Sequence, residues 1–368
     1  MLSEPILPSV GDGSGFQRDQ RIHVEELQLA LRNKALPLEG LHYDITPTGL
    51  HYTLIHYDIP VVDGTSWRLD VGGQVRRQLS LTLEDLQQRP QQTLRVTLEC
   101  AGDGRALLHP RPISQPWLTG AVGTAEWTGI PLHLLLEETE VGEGVTEILF
   151  TGLDRGMEGG VEQHYQRSVP LDVAQHDDLL LAWRMNGVPL EPQHGFPLRL
   201  IVPGWYGMAQ VKWLCAITAL TAPFDGYQQA VAYRYSKARA EQGEPVTLMR
   251  VRSLLIPPGI PDFLTRMRVV ERGLVELRGR VWSGRSPIAQ VEVSCDGGGT
   301  WERAEVGKPQ SAYSWQNWHY RWEALTPGTY ELCCRAQDRA GEMQPLDQYW
   351  TARGMGNNAV QRVRVMVM

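Results

Sequence analysis

From Val275 to the C-terminus the chain is written at period two. The runs Val275–Trp282, Ile288–Ser294, Trp318–Trp322, Gly328–Arg335 and Val360–Met366 alternate apolar and polar residues, and turn signals such as Asp296-Gly-Gly-Gly and Pro327-Gly separate them. Alternation presents one apolar face per strand, and several short strands divided by turns must pair those faces to bury them. An immunoglobulin-like β-sandwich is the expected result.

The text before it is different. Between Tyr52 and about Ala222, strand-like runs (Trp67–Val71, Arg95–Cys100, Glu147–Phe150, Pro197–Val202) are interspersed with short helical candidates, Thr82–Gln88 and Pro131–Glu138. That mixture predicts an α+β domain. A further helix is expected at His23–Arg32, on the surface, from its helical spacing of apolar residues. Ser236–Pro261 carries Pro245, Pro257, Pro258 and Pro261 and reads as a connector. The fold class is therefore α+β followed by a β-sandwich, with domains expected at 1–240 and 241–368.

Charge narrows the partners. Charged residues make up 21% of the 368, the net charge is −7 and no lysine-rich block occurs, so nucleic acid is not an expected partner. No run of eighteen apolar residues exists, and Met1–Pro8 has neither a basic start nor a long apolar stretch. The expectation is no membrane span, no signal peptide and a cytoplasmic location, or a periplasmic one if the N-terminus has been processed. The five cysteines show no C-x-x-C, zinc-finger or haem-attachment spacing, and a disulfide framework is not implied.

One of those cysteines stands where a thiol can do chemistry. Cys100 ends the run Arg95-Val-Thr-Leu-Glu-Cys100 and is followed directly by Ala101-Gly-Asp-Gly-Arg105. A strand end feeding a glycine turn, with an arginine five residues on, predicts a held and accessible thiol that favours the thiolate and can ligate a metal. The alternative is a buried structural thiol. A second block, His194-Gly-Phe-Pro-Leu-Arg199 through Lys212-Trp213, joins basic residues to a Pro-Gly turn whose amides suit a phosphate, or else forms a plain buried strand and turn. Tyr233-Arg234-Tyr235 sets a phenol beside a cation, able to donate a proton or orient an anion if it does not simply pack. No P-loop, G-x-G-x-x-G, G-x-S-x-G or H-E-x-x-H occurs.

Six blocks in order resemble the sulfite oxidase family of molybdenum enzymes. They are Cys100–Arg105, Gly120–Leu132, Tyr165–Leu171, Met185–Leu190, His194–Leu214 and Ala352–Ala359. The resemblance implies a molybdopterin-binding domain, then an immunoglobulin-like dimerisation domain, with no haem domain. It implies molybdenum held by the dithiolene sulfurs of a molybdopterin without an attached nucleotide, with Cys100 as the protein ligand. It places cofactor binding at Tyr52, Thr53, His56, Asp154, His194, Arg199 and the backbone of Gln210, Val211 and Lys212. Around the substrate it places Arg105 as an anion clamp, with Trp117, Tyr233 and Arg353.

The implied activity is oxygen-atom transfer on a small sulfur oxyanion, sulfite to sulfate, with electrons leaving to an external acceptor such as a cytochrome. A homodimer is implied as well. This chain departs from the family where an arginine is usual in the run His51-Tyr-Thr-Leu-Ile-His56, which has Leu54 instead. The lost charge-assisted contact is worth on the order of 1.5–3 kcal/mol. A different substrate for the same cofactor (another sulfur compound, an S-oxide or an oxyanion to be reduced) is therefore an alternative, as is a non-catalytic binding protein of the same fold. Asp103-Gly104, where the family prototype has Asn-Arg, is expected to lower positive charge beside the metal.

Overall fold

The strand Gln92–Glu99 leads straight into Cys100, and its last four residues are all buried. The structure, a computed structural model, describes residues 22–368, so the N-terminal stretch read for targeting signals lies outside the described residues. Gln92–Glu99 pairs antiparallel with Val122–Pro131, which pairs in turn with Leu180–Met185; Val188–Pro189 and Arg199–Ile201 both add to that last strand. A second sheet runs in the order Leu79–Leu81, Leu69–Gly73, Leu214–Leu220, Glu147–Glu158, Val161–Pro170, with one parallel pairing, between Leu69–Gly73 and Leu214–Leu220. Trp67, Phe150, Trp183 and Leu200 help fill one core, while Val96, Leu98, Trp117 and Trp127 surround Cys100 in another.

The short helices follow their local signals. Leu83–Gln87 begins after Thr82, whose hydroxyl accepts from Asp85 N at 3.0 Å while Asp85 Oδ2 accepts from Thr82 N at 2.8 Å. This reciprocal capping satisfies donors that a short helix would otherwise leave unpaired. Helices also form at Leu132–Thr139 and Val24–Arg32. Among the described residues no helix is long and apolar enough to cross a membrane.

The C-terminal sequence forms the expected sandwich. A four-stranded sheet (Arg252–Ile256, Gly273–Trp282, Gln316–Ala324, Glu305–Val306) faces a six-stranded one (Ile260–Pro261, Arg268–Val270, Gln361–Val367, Gly328–Asp338, Ile288–Ser294, Glu302–Arg303). Val281, Val291, Trp318, Leu332 and Val365 meet between them.

One element differs from the sequence reading. Within the expected connector, Arg252–Ile256 is a strand buried along its whole length. Leu254 and Ile256 pack into the first core, whereas Val251 and Leu255 pack into the sandwich. A strand buried on both faces loses the polar alternation by which strands are read, so Leu254-Leu-Ile256 carries no period-two signal.

Candidate active site

Cys100 is fixed by its backbone before its side chain is considered. Its N–H donates to Ala121 O at 2.8 Å, its carbonyl accepts from Asp103 N at 2.9 Å, and Arg105 N donates to Gly102 O at 3.1 Å, closing the turn. The thiol differs from the accessible thiolate expected: Cys100 is only 7% exposed, and burial pushes its pKa up. Arg105, the Gly102 amide and the Trp117 indole pull it back. Burial raises a thiol because the charged form loses solvent, so this sulfur ionises readily only with a cation or metal to offset that loss.

The sulfur lines a cleft that is open to solvent on one side. Tyr52, Thr53, Leu54 and His56 line it from the segment after the first helix, His194, Arg199, Gln210 and Lys212 from the Pro-Gly block, and Asp154 and Tyr233 complete it. Val211 alone of the expected cofactor positions is absent from the lining, being fully buried. The amides of Gln210 and Val211 are engaged within their turn, donating to Gly207 O at 3.1 Å and Ala209 O at 3.0 Å.

The cleft collects buried bases. Lys212 Nζ donates to the carbonyls of Leu54 at 2.7 Å and Gln193 at 3.0 Å. Burial, then neighbouring Arg199, pushes its pKa down to about 7. Arg199, lowered to about 10 by burial, donates to His194 O at 3.0 Å and lies over the Trp127 ring at 4.6 Å, and its Nε has no partner. Burial also lowers His194 to about 3 and His51 to about 4. The one lining carboxylate, Asp154, is raised to about 6 by burial, and its Oδ1 is unpartnered. Bases held below their ordinary values by burial and by one another are groups short of an anion. This fits a phosphate-bearing cofactor.

The donor set fits a metal that brings its other ligands. Among the described residues no group of three or more His, Cys, Asp or Glu converges as a metal cluster. The chain thus offers one thiolate, which suits an ion already held by dithiolene sulfurs.

Three expected substrate residues do not line the cleft: Arg105, Trp117 and Arg353. Arg105 is buried, and it donates to Arg353 O at 3.1 Å, Gln115 O at 3.1 Å and Met355 Sδ at 3.3 Å. Its partners are neutral, and burial lowers its pKa, with Cys100 and then Tyr233 as the groups that would favour its charge. Trp117 is buried, and Arg353 is half-buried. Tyr233 faces the cleft with Arg167 5.5 Å from its ring; burial raises its phenol and Arg167 offsets part of that.

Asp103 also differs from expectation. It is buried, accepts from Ala121 N at 2.9 Å and lies 3.0 Å from Arg252 Nη1, so its charge is met by a sandwich cation.

Sequence reasoning passed over several residues at the site. His51 and Tyr165 stood inside quoted motifs, and both line the cleft. Glu158, 2.9 Å from His56 Nε2 and joined by Tyr57 at 3.2 Å, had no signal at all, because its partner lies 102 positions away.

Known proteins resemble this chain in sequence and fold. Residues 56–228 match the family described as oxidoreductase molybdopterin binding domain, and residues 244–368 match the Mo-co oxidoreductase dimerisation domain. Mitochondrial sulfite oxidase of Rattus norvegicus is 32% identical over 348 residues, covering 88% of this chain and 62% of that protein. Nitrate reductase [NAD(P)H] of Hordeum vulgare is 32% identical over 366 residues, covering 91% of this chain and 41% of that one. The chain thus corresponds to a part of each relative. The crystal structure of the sulfane dehydrogenase SoxCD from Paracoccus pantotrophus superposes with a TM-score of 0.76 at 26% identity, covering 89% of this chain and 82% of that chain. With two adjoining family matches over most of its length and this likeness in fold, the chain belongs to the sulfite oxidase family of molybdopterin-binding oxidoreductases.

Proposed function

We propose that this chain is a molybdopterin-dependent oxidoreductase that transfers an oxygen atom to a small sulfur oxyanion, sulfite to sulfate, and passes the electrons to an external acceptor. The observation that carries the reading is the single cleft that holds the Cys100 sulfur together with Arg199, Lys212, His194 and Tyr233. Arg199 and Lys212 would hold the phosphate of a molybdopterin without attached nucleotide, with His194, His56 and the Tyr52–Thr53 backbone against the pterin. Cys100 would ligate the metal. When bound, the group supplies the two-electron oxygen-transfer chemistry that no side chain here provides.

The chain's own residues do the rest. Tyr233 can donate a hydrogen bond to a substrate oxygen, and the raised phenol keeps its proton across the working range. Arg105 offsets the Cys100 charge, and its Nε donates to the Arg353 carbonyl, which brings that half-buried residue next to it. The second domain is proposed to join two copies, and the acceptor to be a separate redox protein.

Leu54 favours a second reading. It stands in the cleft lining where the family usually has arginine, which suits a substrate with less charge than sulfite, such as a sulfane or an S-oxide. Steady-state turnover by natively loaded protein with sulfite, a sulfane compound and nitrate, using artificial electron carriers, decides. Turnover of sulfite supports the first reading; fully metallated protein inert to sulfite but active on another member of the panel establishes the second.

A further inference from the structure

The loop that carries the thiol is held from the other domain as well as from its own. Arg252 Nη1 reaches Glu99 Oε1 at 2.7 Å and Asp103 Oδ2 at 3.0 Å, one residue before Cys100 and three after it. Trp282 Nε1 donates to the second Glu99 oxygen at 2.8 Å. Gly356 N donates to Ala101 O at 2.7 Å, and Asn357 Nδ2 to Gly104 O at 2.9 Å.

These donors all belong to the sandwich, and they grip the Glu99–Gly104 segment at four positions around the sulfur. Period two explains how Arg252 gets there. It shares a strand face with Leu254 and Ile256, the two residues that pack into the first core. Arg252, Glu99 and Asp103 are all buried, so neither carboxylate has water to turn to if the guanidinium is removed.

We propose that Arg252 is a positioning residue for the Cys100 loop, so that the sandwich domain sets where the sulfur sits in the cleft. Its bearing on the metal rests on the function proposed above; its bearing on the loop does not. Cofactor retention would then depend on how the two domains are docked at this one contact.

The test compares two buried interdomain arginines in the full chain. Arg280 donates to Leu41 O at 2.6 Å and lies 2.7 Å from Asp44, bridging the same two halves away from the thiol. Hydrogen exchange of the peptide spanning residues 99–105 is followed by mass spectrometry in cofactor-free wild type, Arg252→Met and Arg280→Met, and molybdenum and pterin are measured on natively purified samples.

Arg252→Met is expected to speed exchange in that peptide by about tenfold or more, the change in local opening that loss of a charge-assisted contact gives. It is also expected to lower the bound metal. Arg280→Met should leave the peptide at the wild-type rate. If Arg252→Met does not fold, Arg252→Lys and Asp103→Asn, which each loosen one end of the clamp, carry the same comparison.

Exchange unchanged in the Arg252 variants, or raised equally by Arg280→Met, overturns the proposal. Absence of molybdenum from wild type would instead overturn the functional reading, and the exchange contrast would still stand.

Discussion

Lys212 Nζ donates to the carbonyl oxygen of Leu54 at 2.7 Å, so the position where the family usually has an arginine is held by its backbone and its side chain is left to vary. Substitution at Leu54 can therefore change the charge of the cleft without removing that contact.

Leu54→Arg should lower KM for sulfite roughly ten- to hundredfold, the value of one charge-assisted contact to an oxyanion. Steady-state kinetics at fixed acceptor concentration read it. An unchanged KM would show that the anion does not approach this part of the cleft.

Cys100→Ser should keep pterin and abolish turnover, because the phosphate and pterin contacts proposed above fall on other residues of the cleft while the metal would lose its protein sulfur. Pterin fluorescence after release, measured beside activity, checks this. Loss of pterin along with activity would mean that the thiol holds the whole group.

Acid should weaken the cofactor-free protein through its buried histidines. His194 is lowered from 6.5 to about 3 when folded, so between those values the unfolded chain binds a proton that the folded chain refuses. Stability falls as pH falls through that window, by at most about 1.4 kcal/mol per pH unit from one such group. His194→Gln should flatten part of this slope in denaturant titrations from pH 6.5 to 4, and His51, lowered to about 4, should account for some of what remains.

Gly354→Ala should destabilise the chain by at least about 1–2 kcal/mol, the cost of a left-handed backbone for an L side chain. Its φ is +66°, and an added Cβ would come within 2.6 Å of Arg105 Cγ. Thermal unfolding reads the loss. A wild-type midpoint would mean that the turn relaxes out of the left-handed region when alanine replaces the glycine.

What could be read from sequence had local causes. The sandwich strands announce themselves because each has one apolar face, and Thr82 and Asp85 mark a helix start within four residues. Most of the cleft-lining residues were legible through short motifs whose members lie near one another in the chain. Other features depended on distant partners. Asp103 reads as added negative charge until Arg252, far along the chain, is found beside it. Arg105 reads as an anion clamp until the Arg353 carbonyl, 248 positions on, is found to accept from its Nε. Cys100 reads as accessible because a glycine turn follows it, and only the Trp117 and Trp127 packing shows it to be enclosed.

The strand Arg252–Ile256 gives the chain no seam at which it could be divided cleanly. Its residues finish a wall of each core, so a fragment ending near residue 240 would lack Leu254 and Ile256 and present bare apolar surface where they now pack. Such a fragment is expected to aggregate rather than stand as a smaller enzyme, because an open apolar face of that kind finds other chains.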